Sequence, residues 1–432
     1  MERKQISTVA RQFKRTFSQQ ALNALGKSIR FCMREREITP YRLALGLIEV
    51  FARTGVETIA DAHRAFNALC NTTVQYKPFH NQLVKATFPA FMRGLCEQLM
   101  ARLTSEVLRF APQSPFAQFT HITIHDGTSF AVKSTLKKIF PGRFTKISPA
   151  AVELHVTMEL LSEGLERVTL TPDKESEVHN VPVPNTMRGG LFLGDRMFFI
   201  KAYLAQILAH GGHFIVKAKG IINPIIRSAY TLEGGELKRF GNQPLKSLKS
   251  KVSKYKALDL EVAWEEELEA RLIVTWDAKN KRPRYLLTSL PRVDFTLEQV
   301  CDAYRLRWQV ELMFKEWKSY TSLHAFDTSK ANIAEGLIWA ALCAAILKRY
   351  CAHLAQRLWQ VPISTRKVAM CLHHLLSEIF RALMHAQRQL QKTIERALHY
   401  LSLNAQRAHP KRDQRSGRLK LDLQHVYGAL KN

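Results

Sequence analysis

The stretch "YRLRWQVELMFKEWKS", residues 304–319, decides how this chain is read. Tyr304, Arg307, Glu311, Lys315 and Lys318 are spaced 3, 4, 4 and 3 residues apart. At about 3.6 residues per turn that spacing returns to one face of a helix. Leu306, Val310, Met313, Phe314 and Trp317 fall roughly opposite and form the apolar stripe by which a helix docks on a core. The pattern predicts one helix from near Thr296, where "TLEQ" has the form of a capping box, to near Ser319. It is a docked helix that presents one carboxylate among cations.

The charge of that helix extends to the whole chain. Its 432 residues carry 64 Lys and Arg against 37 Asp and Glu, a net charge of +27 spread along the length. A polyanion is the expected partner, nucleic acid before a membrane surface. The seven cysteines, Cys32, Cys70, Cys96, Cys301, Cys343, Cys351 and Cys371, include no C-x-x-C pair and read as reduced core residues of a cytosolic chain. "CLHHLL", with Cys371, His373 and His374, lacks a second ligand pair at zinc spacing, so zinc is not expected. "MERKQISTVARQFKR" has no apolar stretch of the kind a secretory leader needs. The apolar run "GLIWAALCAAIL" is shorter than a bilayer span and ends at Lys348 and Arg349, which predicts a buried helix and no membrane partner.

Hydrophobic spacing is helical from residue 18 to about residue 110. The cluster "APQSPF" then punctuates the chain, and "FTHITIHD" opens a series of strands: "AAVELHVTMELL", "ERVTLTP", "LFLGDR" and "HFIVKAK", with the helix "FFIKAYLAQILAHGG" among them. Strands interleaved with helices imply an α/β layer. Residues 221–293 change to lysine-rich loops between strands such as "ALDLEVAW", "ARLIVTWD" and "RYLLTSL", a β-rich insertion. Residues 326–432 are strongly helical and close on a basic tail, "RAHPKRDQRSGRLK".

Three carboxylates stand out by context. Asp126 is expected to close the strand "THITIHDGTS", Asp195 to follow "LFLG", and Glu311 to lie on the helix above. In α/β sheets, ligands gather at the carboxyl ends of strands. Converging carboxylates repel one another, and divalent cations with a preference for oxygen, Mg²⁺ or Mn²⁺, relieve that repulsion. Two such ions activate the attacking oxygen of a phosphodiester cleavage and stabilise the leaving one. Each residue also has an ordinary reading: an aspartate after a strand is usually a turn or cap residue, and Glu311 four before Lys315 is usually a solvated ion pair.

Taken together, the Tyr304, Arg307, Glu311 and Lys318 spacing, the "HDGTS" around Asp126 and the "LFLGDRMFF" around Asp195 resemble the cut-and-paste insertion-sequence transposases of the IS-four type. The resemblance covers roughly residues 119–321. It implies an RNase H-like catalytic core interrupted by the β insertion, in which Asp126, Asp195 and Glu311 hold two Mg²⁺ ions per active site. It further implies that water nicks the transposon end, and that the freed 3′-hydroxyl attacks the opposite strand to give a hairpin, which is reopened before insertion into target DNA. Tyr304, Arg307, Lys315 and Lys318 then hold the distorted strand, with Trp264, Trp276 or Trp308 as the aromatic partner of a flipped base. Where the family often has arginine after the strand that follows the second aspartate, this chain has Lys217 and Lys219, which keep the charge and lose the bidentate fork.

The expected organisation is an N-terminal helical DNA-binding domain over residues 1–112, a core over 113–220 and 294–325 split by the insertion at 221–293, and a C-terminal helical region over 326–432. Residues 58–85 read equally well as a helix-turn-helix, with the helix after Lys77 in the major groove, and as an ordinary helical hairpin. The expected partners are double-stranded DNA, both transposon ends and target, and a second copy of the chain, since two ends must be held together. The expected location is the cytoplasm, on the nucleoid. Two alternatives are a helix-turn-helix regulator that cuts nothing and a structure-specific RNase H-like nuclease. The first leaves the three ordered carboxylates unexplained, and the second would need no inverted repeats beside the coding region.

Overall fold

Strand alternation sorts the apolar residues of the central region onto two faces of one sheet. The computed structural model describes residues 2–53, 58–249, 251–264, 268–321, 323, 327–408 and 421–428. Residues 409–420 of the expected basic tail lie outside them. Nine strands form the sheet: β2 (Ile122–Ala131), β3 (Ala151–Glu159), β4 (Gly164–Pro172), β5 (Leu191–Gly194), β6 (His213–Lys217), β7 (Ile225–Thr231), β8 (Ala257–Trp264), β9 (Leu268–Asp277) and β10 (Arg282–Thr288). Their order is β4-β3-β2-β5-β6-β10-β9-β8-β7. The three central strands β2, β5 and β6 are parallel, and all other pairs are antiparallel. The strands of the expected insertion therefore extend the same sheet, joined through β10 beside β6. A separate ribbon, β1 (Leu108–Phe110) with β11 (Leu423–His425), ties the segment after α6 to the C-terminal part of the chain.

The two faces belong to different cores. Ile122, Ile124, Leu154, Val156, Leu191 and Leu193 point to one, and Phe192, Phe214, Val216, Leu258, Leu260 and Leu272 to the other. The second core is covered by α7 (Lys201–Ala209) and the short helices α8 (Lys246–Lys249) and α9 (Val252–Tyr255). The first is covered by α10 (Leu297–Arg305) and α11 (Trp308–Tyr320), and is continuous with the terminal helices. Those are α1 (Glu2–Thr16), α2 (Gln19–Ser28), α3 (Pro40–Ala52), α4 (Ile59–Cys70), α5 (Tyr76–Val84) and α6 (Phe88–Arg102), then α12 (Ala331–Trp359), α13 (Thr365–Cys371), α14 (His373–His385) and α15 (Leu390–Asn404). Helices α3, α5, α6, α13 and α15 all pack on α12. This explains its apolar composition, since most of its length is buried in protein. All seven cysteines are free thiols, five of them buried.

The opening stretch departs from the single helix that its spacing predicts. The capping box is present, with Thr296 and Gln299 exchanging both bonds. The helix then breaks at Leu306 and Arg307, whose N–H groups reach back only three residues, to Ala303 O at 3.0 Å and Tyr304 O at 3.1 Å. Both residues keep right-handed backbone angles, so this is a 3₁₀ tightening between α10 and α11. The apolar stripe survives it: Leu306, Val310, Met313, Phe314 and Trp317 are all buried.

Candidate active site

The carboxylates are placed by β2, β5 and α11. Asp126 does not close its strand, as expected from the sequence, but lies within β2 opposite Val156. The strand continues to Ala131 because β3 pairs with it throughout. Its parallel partner β5 is shorter: pairing ends at Ile124 with Leu193, and the same register carried forward sets Asp126 abreast of Asp195. Asp195 also does the ordinary work of an aspartate after a strand, since its Oδ1 caps the turn Arg196–Phe198 by accepting from Met197 N at 2.5 Å. Asp126 Oδ1 accepts from Gly127 N at 2.9 Å.

Arg307, at the head of α11, joins the remaining pieces. Its Nη1 donates to Asp126 Oδ2 at 2.8 Å and its Nη2 to Glu311 Oε1. Burial pushes the Asp126 carboxyl up to about 6, with the charges of Asp195 and Glu311 adding to the effect and Arg307 and the Gly127 amide opposing it. Burial likewise pushes the Tyr304 phenol up to about 12, so it stays a protonated donor near the carboxylates. Lys318 reaches back to β2, where its Nζ donates to Ser129 O at 2.9 Å, and burial lowers its pKa.

The polar stripe of the opening stretch therefore divides. Arg307, Glu311 and Lys318 turn to β2, whereas Lys315 stands over the exposed ring of Trp308, 5.1 Å from its centroid. Those two line a cleft of about 1350 Å³ between α11 and α13, together with Tyr304, Arg307, Arg366 and Lys367. Lys217 and Lys219 are exposed at the end of β6, two strands from β2. Trp264 and Trp276 pack on the second core, on the sheet face away from α11, with Trp264 edge-on to Phe199 at 5.8 Å. Trp264 thereby touches the end of the turn that Asp195 caps.

A group that sequence reasoning missed lies behind Asp126. Buried Glu153 of β3 accepts from Arg143 Nη2 at 3.0 Å, and Glu177 lies 3.6 Å from the same guanidinium. A Cβ on Gly127 would meet Glu153 Oε1 at 2.7 Å, so the glycine after Asp126 is there to clear this carboxylate. The "DG" pair was the available signal, and it does not name the partner.

A family profile for the transposase DDE domain matches residues 117–347, more than half of the chain and all of this site. The chain belongs to the DDE transposases. It is 21% identical to a transposase of insertion sequence element IS231E from Bacillus thuringiensis subsp. finitimus, over 90% of this chain and 89% of the relative. It is 22% identical to one of element IS1151 from Clostridium perfringens, over 80% of each. DDE transposase domains generally depend on divalent metal. The oxygen-only donors Asp126, Asp195 and Glu311 suit a hard cation, and the charges of Asp195 and Glu311 add to the burial that raises the Asp126 pKa. As the side chains stand, no three His, Cys, Asp or Glu residues among those described are gathered closely enough to hold an ion. The Arg307 guanidinium lies between Asp126 and Glu311 instead.

Proposed function

We propose that this DDE transposase binds the terminal inverted repeats of an insertion sequence and moves it by cutting and pasting, through hairpin ends. The observation that carries the reading is the sharing of Arg307 between Asp126 and Glu311, with Asp195 abreast of Asp126. Asp126, Asp195 and Glu311 are the residues that would hold divalent metal, Mg²⁺ with Mn²⁺ as substitute, two ions per site. When bound, such ions lower the barrier to attack by water or a 3′-hydroxyl and stabilise the departing 3′-oxygen. In that state Arg307 releases the carboxylates and turns its planar fork to a phosphate, a geometry that suits bidentate contact. Tyr304 donates its phenolic proton to the strand beside the scissile phosphate. Lys318 and Lys315 neutralise flanking phosphates, and exposed Trp308 offers a stacking face, with half-buried Trp264 and Trp276 as the other aromatic candidates. Lys217 and Lys219 extend the basic surface along the same sheet edge.

End recognition is assigned to the N-terminal helices, and within them to α4 and α5. Asn67 locks the turn between these two, donating to Val74 O at 2.8 Å and accepting from Val74 N at 3.1 Å. This leaves Tyr76, Lys77 and Asn81 exposed on α5 to face a groove. The assembly would be a homodimer on paired ends, working on the nucleoid. The test is cleavage of duplexes carrying the ends that flank the coding region, with Mg²⁺ or Mn²⁺. Glu311→Gln is expected to bind these duplexes as the wild type does and to cut at least about 10³-fold more slowly, more than the loss of one preorganised oxyanion donor costs. Undiminished cutting by the variant would sink the assignment.

A further inference from the structure

Between β2 and β3 the chain makes a long loop, residues 132–150, that none of the site residues explains. It leaves three large apolar side chains in water: Ile139 is 54% exposed, Phe144 64% and Ile147 88%. Single exposed apolar residues are ordinary, but three within nine positions of one loop mark a contact surface. The loop is well braced. Leu136 and Phe140 are buried at its base. Arg143 N donates to Asp173 Oδ2 at 2.7 Å while its guanidinium grips Glu153, and Gly142 N donates to Pro149 O at 3.1 Å. The strands of the loop cross so closely at Gly142 that a Cβ there would lie 1.9 Å from Ser148 O. The tip closes with Ile147 N and Ser148 N both donating to Phe144 O. A tip held this firmly loses little entropy on binding.

The charge around the tip says what it faces. Residues 127–152 contain Lys133, Lys137, Lys138, Arg143 and Lys146 and not one Asp or Glu. Lys137, Lys138 and Lys146 are exposed and have no ion-pair partner among the described residues. The loop also rises from the edge of the sheet that carries the carboxylates, since β2 and β5 run parallel toward it. Ala131, where the loop begins, is five residues along β2 from Asp126. That is about 17 Å, or about five base-pair steps of a duplex lying on the site.

We propose that this loop is a wedge: Phe144 and Ile147 enter a base step of the bound duplex while Lys137, Lys138 and Lys146 hold the phosphates on either side. Apolar side chains inserted this way unstack a step and bend the helix, and a basic collar repays the distortion with backbone contacts. The inference rests on the chain acting on DNA, and it adds a contact that the carboxylate site does not require.

The test uses the full chain carrying Glu311→Gln, so that no substrate is consumed, and two fluorescently labelled 40-base-pair duplexes that differ only by a central mismatch. A mismatched step is already partly unstacked, so the wedge should favour it by about five- to tenfold. Phe144→Ser with Ile147→Ser replaces two exposed side chains and should abolish that preference and the bend read by energy transfer between the duplex ends. Replacing Lys137, Lys138 and Lys146 with Gln should weaken binding to both duplexes and reduce the salt slope by about 2 to 3. Retention of the mismatch preference and the bend in the double serine variant would overturn the wedge while leaving the transposase reading intact. A change of oligomeric state in that variant without DNA would also overturn it, in favour of a contact between copies of the chain. Failure of the parent protein to bind either duplex at low salt would overturn both readings.

Discussion

Arg271 on β9 and Arg307 before α11 are both buried arginines facing carboxylates, and they differ in what their partners leave over. Arg271 is 2% exposed and saturated: Nε and Nη2 hold both oxygens of Asp259 at 2.8 and 2.7 Å, and Nη1 donates to Leu290 O and Phe295 O. Its charge is balanced, and every bond serves position. Because Leu290 and Phe295 lead into Thr296, this arginine fixes where α10 begins and hence where α11 can lie. Arg307 divides one guanidinium between the carboxylates of two separate elements, Asp126 of β2 and Glu311 of α11, and a third carboxylate, Asp195, stands abreast of Asp126. A saturated pair holds a fold, whereas an unbalanced one at a half-open edge is poised to exchange partners.

Substitution should separate the two arginines. Arg271→Ala strands the Asp259 carboxylate in the interior and should destabilise the fold by about 3–5 kcal/mol. A loss of less than about 1 kcal/mol in the free energy of urea unfolding would show that Arg292, 3.2 Å from the same carboxylate, suffices on its own. Arg307→Lys keeps the charge and loses the fork. Cleavage should fall by about 10- to 100-fold, the range seen when groups that orient metal ligands are altered, with the urea midpoint nearly unchanged. A loss of stability comparable to that of Arg271→Ala would make Arg307 a second structural pair and erase the contrast.

The same contrast explains what the sequence reveals. Glu311 and its flanking cations repeat with the helical period, and Leu306 to Trp317 repeat opposite them, so both stripes were legible. The 3₁₀ break at Leu306 was not, because nothing in "RLRW" forbids a helix and the backbone angles barely change. Asp126 and Asp195 could be picked out at the ends of apolar runs, but their alignment depends on how far β5 pairs with β2, which is a tertiary fact. Arg271, Glu153 and the sharing of Arg307 are contacts between residues 10 to 181 positions apart, and no local pattern encodes them. The tryptophans show the limit from the other side: exposed Trp308 begins α11, whereas Trp264 and Trp276 lie on strands and pack on the second core, a placement set by the tertiary fold.

The smaller tests concern the far side of β2, where Glu153 and Arg143 resemble the Arg271 pair more than the Arg307 one. Gly127→Ala places a methyl against Glu153 Oε1 and should cost about 1–3 kcal/mol of stability, since neither β2 nor the ion pair can give way freely. A neutral result would mean that Glu153 swings aside and is not held.

Its titration gives the finer test. Burial raises the Glu153 pKa from 4.5 to about 7, the neighbouring charge of Glu177 adds to this, and Arg143 opposes it. A carboxyl whose folded pKa lies above its unfolded one favours the folded state while protonated, so its contribution is whole below about pH 4.5 and is lost as pH rises toward 7. Glu153→Gln cannot lose a proton, and its stability should therefore fall less than that of the wild type between these two values. If the two pH profiles ran parallel, Arg143 would be neutralising Glu153 fully, and this pair would join Arg271 and Asp259 as a balanced, purely structural contact.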